Sequence, residues 1–154
     1  MTELSDLYNS KILELAAAIP SSSRLDRPDA TARAHSKLCG STIDVDLALR
    51  EGRVAEYGQT VKACLLGQAA ASVMGREIVG STPDELHAVA ATMRAMLKDN
   101  GTPPTGRWAD LAVLEPVRNV KARHASTLLV FDAVEKALAA IDEKVGRQVA
   151  QTAS

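Results

Sequence analysis

Residues 42–61, TIDVDLALREGRVAEYGQTV, decide the fold. Ile43, Val45, Leu47 and Leu49 alternate with Thr42, Asp44 and Asp46, the two-residue period of a strand with one buried and one wet face. Arg50, Glu51, Gly52 and Arg53 follow as a tight turn in which glycine supplies a positive φ, and Val54 to Val61 returns as a second strand. The stretch predicts an antiparallel hairpin.

Upstream of it, Ala32 to Leu38 alternates small or apolar residues with Arg33, His35 and Lys37, a third strand signal. Before that, Leu4, Leu7, Tyr8, Ile12 and Leu15 recur at helical spacing until Pro20 and three serines stop the pattern. Downstream, the small-residue run Leu65 to Met74 predicts a closely packed helix ending at Gly75, with its start at or near Cys64. Thr82-Pro83-Asp84-Glu85 is a capping box with proline at the first helical position, and Leu86, Val89, Ala90, Met93 and Leu97 form the stripe behind it. Asn100-Gly101 and Pro103-Pro104 break the chain, Trp108 to Leu114 predicts a short helix, and Leu128, Phe131, Val134, Leu138 and Ile141 mark the last one.

Strands clustered early and helices late predict an α+β protein, a small antiparallel three-stranded sheet with helices packed on one face. The 154 residues suit one core, so residues 1–146 read as a single domain and 147–154 as a frayed tail. Four aromatic residues leave that core to Ala, Leu, Val and Ile at close approach. Eighteen basic against nineteen acidic residues provide no field that would attract nucleic acid. The N-terminus mixes acids with its apolar residues, unlike a signal peptide, and no apolar run approaches ~18 residues, so a cytoplasmic protein that does not enter a membrane is expected.

Two cysteines, Cys39 and Cys64, are a poor disulfide framework and would stay reduced in the cytosol. Carried outward without a bulge from Arg50 opposite Arg53, the hairpin ladder would set Cys39 opposite Cys64, side by side at its open end. Gly40-Ser41 could end the strand early or bulge it and undo that pairing. Lys62 and a helix start beside Cys64, and Lys37 near Cys39, favour thiolates. On spacing alone, small buried hydrophobes are an equally good reading of both. Two thiolates do not complete a zinc or [2Fe-2S] site, so further ligands would come from His124, His35, an acid or a second chain. His124, just before the last apolar stripe, reads by itself more readily as a surface or capping residue, and His87 lies on a solvated face.

From about Leu7 to about Ala140 the chain resembles the IscU/NifU-type scaffolds, including the SufU branch, on which iron–sulfur clusters are assembled. Cys39-Gly40-Ser41 resembles the family's Cys-Gly-Asp turn, with serine for aspartate. Lys62 to Ser72 is similar to the helix opened by the second family cysteine. Arg123 to Val134 resembles the start of the final helix without its third cysteine, and anchoring on Asp132-Ala133 puts Ser126 at that cysteine's position. Leu114-Glu115-Pro116-Val117-Arg118 resembles the segment that engages an Hsp70-type chaperone.

The resemblance implies a SufE/NifU-like fold and a non-enzymatic assembly protein. Cys39 and Cys64, with His124 as a further metal ligand, would hold a labile cluster, [2Fe-2S] by expectation, or zinc. Its implied partners are a cysteine desulfurase, an Hsp70-type chaperone and apo-protein cluster recipients. Two other functions fit the same residues: a persulfide-sulfur acceptor for a cysteine desulfurase, and a degenerate regulatory partner of one. Serine at 41 and 126 shifts weight towards sulfur transfer, because a hydroxyl is a poor ligand for soft metals.

Overall fold

The computed structural model describes residues 9–19, 24–37 and 40–152. Its elements are α1 (Ser10–Ala17), β1 (Ala30–His35), β2 (Thr42–Arg50), β3 (Arg53–Lys62), α2 (Leu65–Glu77), α3 (Pro83–Lys98), a 3₁₀ segment (Gly106–Asn119) and, after a second 3₁₀ turn, α4 (His124–Thr152). The strands form one antiparallel sheet in the order β1-β2-β3. The architecture is the α+β layer expected from the alternation and stripes.

The hairpin turns where expected. Glu51 (φ 54°) and Gly52 (φ 76°) are both left-handed, the requirement of the two-residue turn whose twist matches its strands. Arg50 faces Arg53 and Leu49 faces Val54, but Ala48 faces Glu56, so Ala55 is an extra residue in β3. This bulge slides the rest of the ladder by one, and its last rung is Thr42 with Lys62. The unbulged register that set Cys39 opposite Cys64 is therefore corrected: β3 ends two residues before Cys64.

Ile43, Val45 and Leu47 are fully buried under the helices. Asp46, expected in water, is only 1% exposed because residues 24–29 fold across the outer face. Its carboxylate accepts from Arg24 Nε (2.6 Å) and Nη2 (2.9 Å), Leu25 N (2.9 Å) and Thr31 Oγ1 (2.6 Å). Burial alone would raise the Asp46 pKa, but these donors outweigh it and hold the carboxyl below its ordinary value. The same strand segment is clamped by Asp29, which donates to Leu47 O (2.7 Å) and accepts from Leu49 N (2.7 Å).

Helix α2 is buried along most of its length, as its run of Ala69, Ala70, Ala71, Val73 and Met74 requires, and continues through Gly75 to Glu77. The Thr82 side chain caps α3 by accepting from Glu85 N (3.2 Å). The Glu85 carboxylate does not close the box and pairs with Arg107 (2.9 Å). The short α-helix expected at Trp108–Leu114 is instead 3₁₀ structure. Trp108, Leu111, Leu114 and Val117 are buried at a spacing of three, the repeat that puts side chains on one face of a 3₁₀ helix. Helix α4 packs on β1, β2, α2 and α3 through Leu128, Phe131, Val134 and Leu138. Its backbone is helical as far as Thr152.

Candidate thiol site at the α2–α4 junction

Cys64 is the N-cap of α2 and is half-buried. Its carbonyl accepts from Gln68 N (2.9 Å), and the Gln68 side chain reaches back to Ala63 O (2.8 Å), fixing the approach to the helix. The Cys64 thiol donates to the Ser126 hydroxyl at 3.5 Å. Ser126 in turn donates to Arg123 O (3.2 Å), which also accepts from Thr127 Oγ1 (2.8 Å). The thiol thus heads a short relay that ends on a backbone carbonyl at the first turn of α4.

Gly67 makes this junction. A Cβ there would stand 2.9 Å from Ala63 Cβ, a distance that real side chains essentially never show, and a tight 3.0 Å from Ser126 O. With hydrogen in its place, the start of α2 rests directly on the backbone of α4. Neither Gly67 nor Gln68 was singled out by motif reading. The signal available was Ala63 and Gly67 at i, i+4, the small-residue spacing of a close helix contact.

Residues 38 and 39 lie outside the described residues, so Cys39 is placed only by its neighbours. Ser36 N donates to Ser41 O (2.9 Å) and Gly40 N to Ser36 O (2.8 Å), with Gly40 left-handed at φ 71°, as the return of a tight β1–β2 loop needs. That loop leaves β2 at Thr42, whose partner Lys62 ends β3 just before Cys64. Cys64 therefore follows the sheet end at which the described ends of the β1–β2 loop, His35 and Thr42, are paired.

His124 is buried at the start of α4, with Nε2 3.0 Å from Val117 O and 3.2 Å from Arg118 O. Carbonyls only accept, so Nε2 carries the proton and only Nδ1 remains able to bind a metal. His35 ends β1 in an exposed row with Thr42 and Lys62. His87 is exposed, as expected, with Nδ1 2.7 Å from Glu135. Among the described residues no three His, Cys, Asp or Glu side chains gather to hold a metal ion. Leu114 and Val117, in the segment that resembles a chaperone-binding motif, are fully buried.

No protein-family model matches the chain. The N-terminal part of a nitrogen-fixing NifU-like protein from Brucella abortus has a crystal structure that is 52% identical, with a TM-score of 0.89 over 92% of this chain and 98% of that one. The iron–sulfur cluster assembly scaffold protein IscU of Thermotoga maritima is 22% identical over 132 residues, 86% of this chain and 92% of its own. A SufU-type structure from Fervidobacterium islandicum, 16% identical with a TM-score of 0.80 over 88% of this chain and 99% of that one, shares the fold. The chain belongs to the NifU/IscU-like family. Among the described residues no helix is long and apolar enough to cross a membrane.

Proposed function

We propose that this protein is an iron–sulfur cluster assembly scaffold that works in the cytoplasm as a carrier rather than an enzyme. The observation that carries this reading is the half-buried Cys64 thiol at the junction of two helix starts, at the sheet end from which the Cys39 loop also departs. The Brucella abortus and Thermotoga maritima relatives, the second of which is an iron–sulfur cluster assembly scaffold by name, support it.

Cys39 and Cys64 would hold the cargo, a labile [2Fe-2S] cluster or zinc, as thiolates. His124 would join through Nδ1, and its Nε2–H bond to a backbone carbonyl is the usual second contact of a metal-binding histidine. Sulfur would come from a cysteine desulfurase, and apo-proteins would receive the cargo. An Hsp70-type chaperone would reach Leu114 and Val117 only after the 3₁₀ segment opens, because both are buried.

The hydroxyl at Ser126 favours a second reading, sulfur transfer without a cluster. In it the Cys64 thiolate attacks the outer sulfur of a donor cysteine persulfide, the donor S–S bond breaks, the sulfane sulfur stays on Cys64 and the donor leaves as a thiolate. A third role, regulation of a desulfurase by surface contact alone, requires neither cysteine.

Anaerobic purification with measurement of iron, sulfide and zinc, alongside the ultraviolet-visible spectrum, separates these for wild type, Cys39→Ser and Cys64→Ser. Cargo held by wild type and lost in both variants is the expected result. A protein that stays empty after reconstitution but takes up sulfane sulfur at one cysteine supports transfer, and full function in both variants leaves regulation.

A further inference from the structure

A second concave feature shares no residue with the Cys64–Ser126 contact. It is an open cleft of about 560 Å³ between the end of α3, the 3₁₀ segment and the start of α4, a size suited to a small molecule. Lys98, Arg118, Lys121 and His124 line it, and no carboxylate does, in a chain whose net charge is -1.

The cations are poorly neutralised. Lys98 and Lys121 are exposed and pair with no acid among the described residues. Arg118 donates from Nη2 to Gly101 O (3.1 Å) and meets the exposed Glu115 only at 3.8 Å. Its Nε is buried with no hydrogen-bond partner among the described atoms. His124 ties the carbonyls of Val117 and Arg118 to the head of α4, which fixes the backbone that carries the guanidinium. Ala125 brings the first turn of α4 to the cleft, where the positive end of the helix dipole adds to the field.

We propose that this cleft binds a small, multiply charged anion of the phosphoryl or polycarboxylate class. Arg118 supplies a guanidinium, Lys98 and Lys121 supply mobile point charges, and the α4 start adds the positive end of its dipole. The cleft shares His124 with the proposed cargo ligands and no cysteine.

The test titrates the full chain with sodium pyrophosphate and, separately, with trisodium citrate at constant ionic strength, following backbone amides by NMR. Saturable shifts at Lys98, Asn100, Lys121 and Ala125 with Kd below roughly 1 mM are expected, weakened about tenfold or more in Lys98→Ala/Lys121→Ala. Both lysines are exposed, so the double variant keeps its core, and Arg27→Ala in another cleft should bind like wild type. Saturation by only one salt upholds the site and identifies the anion class. Absence of saturation with both salts, or equal affinity in the double variant, overturns the proposal. Binding of an acidic peptide where neither salt binds also overturns it, in favour of a protein partner.

Discussion

The Cys64 thiol donates to the Ser126 hydroxyl across 3.5 Å, joining the first turns of two helices that are 62 residues apart in sequence. Because the Ser126 hydroxyl donates its hydrogen bond to Arg123 O, the thiol meets a lone pair of the hydroxyl. A change at either residue is felt at the other.

Ser126→Cys would place a second sulfur at that contact distance. Zinc affinity measured by chelator competition should rise roughly tenfold or more, because two adjacent thiolates replace a thiolate and a poor hydroxyl ligand. Unchanged affinity would show that the two side chains do not share a metal.

Gly67→Ala would drive a methyl group into Ser126 O and Ala63 Cβ. We expect a loss of about 1–3 kcal/mol in urea unfolding and a changed rate of Cys64 alkylation. Wild-type values for both would mean that α2 and α4 are not in close contact.

Asp46→Asn keeps the shape but removes the charge accepted from Arg24, Leu25 and Thr31, and should cost about 1.5–3 kcal/mol at neutral pH. The pH dependence follows from the sign of the shift. The folded pKa lies below the ordinary 3.8, so the contribution is present above that value and fades as pH falls through the folded pKa. The gap between wild type and variant should therefore close in acid, and a gap that persists at the lowest pH would refute this assignment. Asp44 and Asp110 also have lowered values, so acid should weaken the variant too.

His124→Ala would strip the buried Val117 and Arg118 carbonyls of their shared donor. Metal-free protein should lose about 1–3 kcal/mol of unfolding free energy, detectable by chemical denaturation. A loss seen only after metal loading would make His124 a ligand without a structural role.

Much of the fold is legible in the sequence, because alternation through Thr42–Leu49, the Glu51-Gly52 turn and the Thr82 cap are local signals. The bulge at Ala55 is not, since no residue type demands it, and it shifts the rest of the ladder by one residue. Asp46 misleads because its partner Arg24 lies 22 residues away in a segment without periodicity. The 3₁₀ segment carries its three-residue repeat openly at Trp108, Leu111, Leu114 and Val117, but a helical period fits part of the same run. At the candidate site, anchoring on Asp132-Ala133 singles out Ser126, and the structure sets its hydroxyl 3.5 Å from the Cys64 thiol. The role of His124 depends on the carbonyls of Val117 and Arg118, which no side-chain pattern reports.

The Gly67 junction separates where atoms sit from what they are. Helix α2 is seated on the main chain of α4, with the carbonyl of residue 126 as the point of rest, while the side chain at that position meets the thiol. The seat is set by main chain and the partner of the thiol by a side chain, so the contact geometry and the chemistry at this junction are written in different atoms.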